Sequence, residues 1–183
     1  VPGRYNEFIN YTQGWPLNFP FVVDQIRIAS PLFRMLNLKY IYSPKKISSD
    51  IPGFKKVHSI DGIYLYEADE VLPKAFIVPE LEIIKDKISI LRALSNPEFD
   101  FRKKVILEEA PYSVINVESA SKTAYSELRI TKYEPNKIVI TTEATQNGFL
   151  ILCDTYYPGW EALVDGKRTK IYRANYILRA IPI

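Results

Sequence analysis

Cysteine, histidine and methionine are almost absent: the 183 residues hold one of each. A single cysteine, Cys153, excludes an internal disulfide framework and any Cys-based zinc cage. It ends the run Phe149-Leu150-Ile151-Leu152-Cys153, where a thiol behaves as a small hydrophobe. A single histidine, His58, leaves the Ser-His-Asp and Cys-His arrangements almost without material. Between Val57 and Ser59 it reads as an exposed polar residue of a hairpin strand. The seven glycines form neither GxGxxG nor GxxxxGK[ST], so no phosphate-cradling loop is present and no cofactor is expected. No apolar run exceeds Phe149 to Cys153, far below the ~20 residues that cross a bilayer. No charged head, apolar stretch and cleavage site open the sequence as a targeting peptide would. Charge of one sign is also lacking, with 24 basic residues against 21 acidic ones. No segment is basic enough to track a phosphate backbone, so nucleic acid is not an expected partner.

What is present is a folding composition, 47% hydrophobic and 25% charged, with 13 tyrosines and 13 prolines. Arg4 to Thr12 suits one short helix within an aromatic, turn-rich opening segment. Ser30-Pro31 marks a helix start, with Leu32, Phe33 and Leu36 on its apolar face and an end near Asn37. Leu38 to Tyr42 is a strand stopped by Ser43-Pro44. Phe54 to Ile60 and Ile63 to Glu67 flank Asp61-Gly62, the dipeptide of a two-residue type I′ hairpin. Ala75 to Val78 is a strand between two prolines. Asp86 caps a helix from Lys87 to Ser95 carrying Ile88, Leu91 and Leu94 on one face, and Lys104 to Leu107 resumes as a strand.

From Ser113 the period becomes two. Val114, Asn116 and Glu118 begin it, then Leu128 to Tyr133, Lys137 to Ala144, Gly148 to Asp154, Trp160 to Val164, Thr169 to Tyr172 and Tyr176 to Ile183, with Asp165-Gly166 as a second hairpin turn. The reading is therefore an α+β chain. Residues 1–110 form a small α/β part, and residues 111–183 an antiparallel β-sandwich of jelly-roll type. The final strand alternates up to Ile183 without a polar tail, which predicts a sandwich cut before its last strand and a longer parent protein.

Three features offer chemistry. Carboxylates cluster at Glu67-Asp69-Glu70, Glu80-Glu82 and Glu108-Glu109, without a spacing that converges on a catalytic pair or a metal. Asn10-Tyr11-Thr12 matches the glycosylation triplet. Asp154-Thr155-Tyr156-Tyr157-Pro158-Gly159-Trp160, followed by Arg173-Ala174-Asn175-Tyr176, gathers aromatic and polar side chains around tight turns. Flat aromatic faces pack against the C–H face of a pyranose while polar groups bond its hydroxyls, so Asp154, Tyr156, Tyr157, Trp160, Arg173, Asn175 and Tyr176 are candidate carbohydrate contacts. The same aromatics equally suit the core of a β-sheet. No catalytic and no metal-ligating residue is assigned.

The stretch from Asp154 to Ile183 resembles the closing signature of YfhO-type bacterial membrane proteins, a pattern of the form YYPGW, VDGK and RANY. Met35-Leu36-Asn37-Leu38-Lys39-Tyr40-Ile41, Gly62-Ile63-Tyr64-Leu65-Tyr66-Glu67 and Leu72-Pro73-Lys74-Ala75-Phe76 resemble upstream elements of that family, in order. The Pro-x-Gly-x-His continuation of the family's ending is missing after Ile183. The resemblance implies a polytopic protein related to glycosyltransferases that use lipid-linked sugars, with its catalytic acid in an early loop outside this chain. The chain would then be a non-catalytic extracytoplasmic domain, joined to the membrane through parent segments. Its expected partners are a cell-envelope polysaccharide or a lipid-linked sugar. A structural or protein-interaction module without carbohydrate binding is the alternative.

Overall fold

The computed structural model describes residues 3–19, 31–47, 53–112, 128–144 and 147–183. The expected strand around Val114, Asn116 and Glu118 lies outside them, as does Ser30. The described residues are mostly β, with two α-helices and one 3₁₀ helix among them. In chain order the elements are helix α1 (Gly3–Thr12), the 3₁₀ helix (Pro31–Leu36) and strands β1 (Tyr40–Ser43), β2 (Phe54–Ile60), β3 (Ile63–Ala68), β4 (Ala75–Val78) and β5 (Glu80–Ile83). Helix α2 (Lys87–Ser95) precedes β6 (Lys104–Leu107), β7 (Arg129–Glu134), β8 (Lys137–Thr141) and β9 (Phe149–Leu152). Strands β10 (Ala162–Val164), β11 (Lys167–Thr169), β12 (Tyr172–Ala174) and β13 (Leu178–Pro182) complete the order.

Six strands form the principal sheet, in the order β4-β9-β13-β12-β6-β5. All neighbours are antiparallel except β5 and β6, which run parallel and are joined through α2 as a βαβ unit. Strands β4 and β5 occupy opposite edges of this sheet, yet only Pro79 separates them in sequence. That one-residue corner draws the two edges together and makes the sheet nearly a closed barrel. Pro79 suits the corner because it needs no ladder partner for an N–H it lacks. The Glu80 N–H then donates to the Lys103 carbonyl at 2.9 Å. Segments 1–110 and 111–183 each supply three strands, so the change of period near residue 110 falls inside one hydrogen-bonded sheet.

Burial follows from this closure. All four residues of β9 are buried, and Phe149 and Ile151, on one face, join the core that the helices also enter. One core gathers Phe8 and Ile9 of α1, Leu32, Phe33 and Met35 of the 3₁₀ helix, Ile90, Leu91 and Leu94 of α2, and the inward residues of the six strands. Asp86 caps α2 as expected, accepting from the Ser89 N–H at 2.8 Å. The face of α2 is turned slightly from expectation: Ile90 is buried with Leu91 and Leu94, while Ile88 is only half-buried. Asn10, the asparagine of the glycosylation triplet, is fully buried. Its amide donates to the carbonyls of Leu17 at 3.0 Å and Phe19 at 2.8 Å. In the folded chain it ties the following loop down and is closed to a glycan.

Three smaller sheets stand beside the barrel: β1-β3-β2, β7-β8 and β10-β11. Both predicted hairpin turns are present with positive φ at both central residues, Asp61 at 49° with Gly62 at 77°, and Asp165 at 49° with Gly166 at 77°. No helix among the described residues is long and apolar enough to cross a membrane.

Candidate functional site

The chain leaves β9 at Cys153 and crosses to β10 through Asp154-Thr155-Tyr156-Tyr157-Pro158-Gly159-Trp160-Glu161. Gly159 sits at a φ of 98°, and a Cβ there would meet nothing within 4 Å. Glycine is therefore required by the backbone and not by crowding. The β10–β11 ribbon folds back over this crossing segment. Between them lies an open cleft of about 400 Å³, lined by Tyr156, Tyr157, Trp160, Arg168, Thr169 and Lys170 with their neighbours.

Two arginines behind the cleft fix its aromatics. The Arg173 guanidinium stands 4.8 Å from the Tyr156 ring centroid, and that of Arg179 stands 4.4 Å from Trp160. Arg179 is nearly buried, and its Nε donates to the Thr155 carbonyl at 3.1 Å. Burial holds its pKa below the ordinary guanidinium value, against the opposing pull of Asp154 and Tyr133. Tyr157 has no such brace among the described residues and is 60% exposed.

Asp154 is committed to an ion pair with Lys74 at 2.6 Å and accepts from the Tyr133 hydroxyl at 2.9 Å. Burial pulls the Lys74 pKa down, but its bonds to Asp154 and Tyr133 outweigh that and leave it raised. Beside them the Cys153 thiol is pushed up to about 12, chiefly by burial, and is inert at neutral pH.

Asn175 and Tyr176 occupy the core, each 1% exposed, in the turn from β12 to β13. Both have positive φ, 45° and 74°. Asn175 Oδ1 accepts from the Ile106 N–H at 2.9 Å, and the Asn175 N–H donates to the Ile106 carbonyl at 2.9 Å. The asparagine thus serves as an extra rung between β12 and β6. The Tyr176 hydroxyl donates to Glu7 of α1 at 2.5 Å, and Arg4 lies 4.6 Å from its ring centroid. Arg4 continues to Glu108 at 2.8 Å, and Lys87 of α2 joins Glu7 at 2.8 Å. Of the seven candidate contacts, Tyr156, Tyr157 and Trp160 line the cleft and Arg173 stands behind it. Asp154 belongs to the Lys74 pair, while Asn175 and Tyr176 bond within the protein. Arg168, Thr169 and Lys170 complete the lining; no spacing in the sequence marked them, because only the folding back of the β10–β11 ribbon brings them there.

The carboxylate clusters are dispersed into pairs. Glu70 pairs with Arg102, Glu82 with Lys104 at 3.4 Å, and Glu109 with Lys170 at 2.8 Å. Among the described residues, no three His, Cys, Asp or Glu side chains are grouped to hold a metal ion. His58 is exposed on β2, opposite Leu65.

The fold and cleft define a mostly β domain with an aromatic surface groove, whose Arg168 and Lys170 are ion-paired with Glu161 and Glu109. Comparison with protein-family models, with curated proteins and with solved structures gives no match.

Proposed function

We propose that the chain is a non-catalytic extracytoplasmic domain of a polytopic membrane protein related to lipid-linked-sugar glycosyltransferases, and that it holds or guides a cell-envelope glycan acceptor. The observation that carries this reading is the cleft, where Tyr156, Tyr157 and Trp160 meet Arg168, Thr169 and Lys170. Flat rings beside hydrogen-bonding side chains are what a pyranose needs. The resemblance from Asp154 to Ile183 supports the parent class. In this reading the parent's membrane segments keep the domain at the extracytoplasmic face, and sugar transfer takes place in the parent's own membrane part. The jelly-roll-like sandwich belongs to the same reading. The antiparallel pairing of β9, β13 and β12 supports it.

The test is titration of the chain with cell-wall glycans, lipid-linked sugar analogues and common monosaccharides, read by tryptophan fluorescence and by chemical shifts. Binding centred on Tyr156, Tyr157 and Trp160, and weakened about tenfold by Trp160→Ala, is the expected result. Deleting the domain from the full protein should then alter acceptor use in membranes. Unchanged transfer and acceptor choice would overturn the reading.

One observation favours a structural or protein-interaction module instead. Tyr156 and Trp160 already have arginine partners inside the protein. Glycan titrations that leave all three aromatics unperturbed, while the domain still stabilises the parent, would select that alternative.

A further inference from the structure

The β1-β3-β2 sheet has a small core of its own, in which Ile41 and Tyr66 are buried against Leu38, Ile47, Phe54 and Tyr64. Register assigns the other face. Tyr42 and His58 both pair with Leu65, Tyr40 and Lys55 both pair with Glu67, and Ile60 pairs with Ile63. Because side chains alternate along a strand, these residues share the face opposite Ile41 and Tyr66. Tyr42 is 71% exposed and Ile60 59% exposed, with Tyr40 exposed beside them and Ile63 and Leu65 half-buried between. The result is an apolar, tyrosine-bearing face that nothing among the described residues covers.

Its rim is basic. Lys39, Lys45, Lys46 and Lys55 are all exposed, and none has an ion-pair partner among the described residues. Elsewhere many surface lysines, such as Lys87, Lys104 and Lys170, are paired. The acidic residues of the sheet are Asp61 at the hairpin tip and Glu67, which accepts from the Tyr40 hydroxyl at 3.2 Å; the exposed Asp69 follows β3 at the end away from the tip, its N–H donating to the Gly53 carbonyl at 2.8 Å. Since Ser43 pairs with Tyr64 near that tip, Lys45 and Lys46 leave the sheet at the tip end.

We infer that this face docks on an anionic phospholipid surface, whether or not the cleft binds a glycan. Tyrosine and isoleucine suit the shallow interfacial layer, where a ring can sit among headgroups with its hydroxyl wet. Lysines extend from such a face to anionic headgroups. A second copy of the chain suits it poorly, because four lysines would meet four. The β2 edge is also blunted against strand addition by Lys55, Lys56 and the register shift between Lys56 and His58.

The experiment is vesicle sedimentation of the chain with pure phosphatidylcholine and with phosphatidylcholine containing phosphatidylglycerol. Expected is binding to the anionic vesicles at about 0.1 M salt, none to the neutral ones, and loss at about 1 M salt. Lys45→Gln with Lys46→Gln should lower partitioning about 30-fold, roughly fivefold for each lysine. Tyr42→Ser with Ile60→Ser should also lower it, with circular dichroism and Tm unchanged because both side chains are exposed. No binding to anionic vesicles, equal binding to both kinds, or full binding by either double variant would overturn the inference. So would equally tight binding to a single-stranded oligonucleotide that is indifferent to Tyr42 and Ile60, since that would mark a general polyanion surface.

Discussion

Tyr176→Phe removes one hydroxyl from the junction of three elements and leaves nearly everything else in place. The ring keeps its buried site, its backbone conformation and its stacking with Arg4, so the change removes chiefly the 2.5 Å bond to Glu7. A hydrogen bond to a charged group contributes about 1.5–3 kcal/mol. Glu7 is 23% exposed and keeps Lys87 as a partner, so the lower part of the range applies, about 1–2 kcal/mol. For a domain of this size that lowers Tm by about 2–8 °C. The loss must depend on pH. Burial alone would raise the Glu7 pKa, but its bonds with Lys87 and Tyr176 and the charges of Lys87 and Arg4 outweigh it and hold it below the ordinary value. Stability from this group is therefore full above about pH 4.3, its unfolded pKa, and is lost as pH falls through the lower folded value. Burial, then the Glu7 bond and charge, raise the Tyr176 pKa. Its contribution is full below about pH 10 and is lost as pH rises beyond that, because only the unfolded chain ionises there. Urea melts of both proteins from about pH 3 to 11 should show the largest difference near neutrality and a shrinking one at both ends. A double-mutant cycle with Glu7→Gln should give a coupling of about 1 kcal/mol. A loss below about 0.5 kcal/mol at pH 7, or one independent of pH, would refute the reasoning.

Gly62→Ala should destabilise by about 1–2 kcal/mol in denaturant melts, because φ is 77° there and open space around the site leaves backbone strain as the only cost. Cys153 should resist thiol reagents at pH 8 in the folded chain, its pKa being about 12, and label only at the rate of opening; fast labelling without denaturant would contradict its burial. Asp154→Asn should loosen the β7–β8 ribbon, which reaches the barrel through the Tyr133 hydroxyl bond to Asp154 and the Lys74 contact with the Tyr133 ring. Amide exchange should accelerate at Ile138 to Ile140 and stay slow in β9.

Local signals were legible where one short stretch decides the outcome. The Asp-Gly turns, the Asp86 cap, α2, β4 and β6 all follow from neighbours within a few residues, and each lies where expected. Strand β5 was not legible, because Glu80 and Glu82 read as an acidic cluster and Pro79 as a stop. Its pairing partner, β6, lies beyond a helix, and Pro79 acts as a corner instead of an end. The 3₁₀ helix carries the expected apolar residues, with Met35 buried as well, but Asn37 at a φ of 58° ends it before an α-helix can develop. Similarly, Thr169 to Tyr172 reads as one strand by period, whereas the structure places Thr169 at the end of β11 and Tyr172 at the start of β12.

The segment Arg173 to Tyr176 explains why a motif can be visible while its role is not. Side chains of one short run leave in different directions, and the turn conformation at Asn175 and Tyr176 breaks the simple alternation that a strand would impose. Asn175 consequently ties β12 to β6 within the barrel and Tyr176 ties the barrel to α1, whereas Arg173 braces Tyr156. Arg179, in the next strand, does the same for Trp160. Ordering a free side chain on binding costs about 0.5–1.5 kcal/mol. Two cleft aromatics already held by arginines avoid most of that cost, and Tyr157, which lacks a brace, does not. The rigidity that makes these rings look like core residues is therefore also what would let them serve as a binding surface. Arginine contacts alone do not separate the two roles. What separates them is whether a glycan perturbs Tyr156 and Trp160 while Asn175 and Tyr176, buried in the core, stay unchanged.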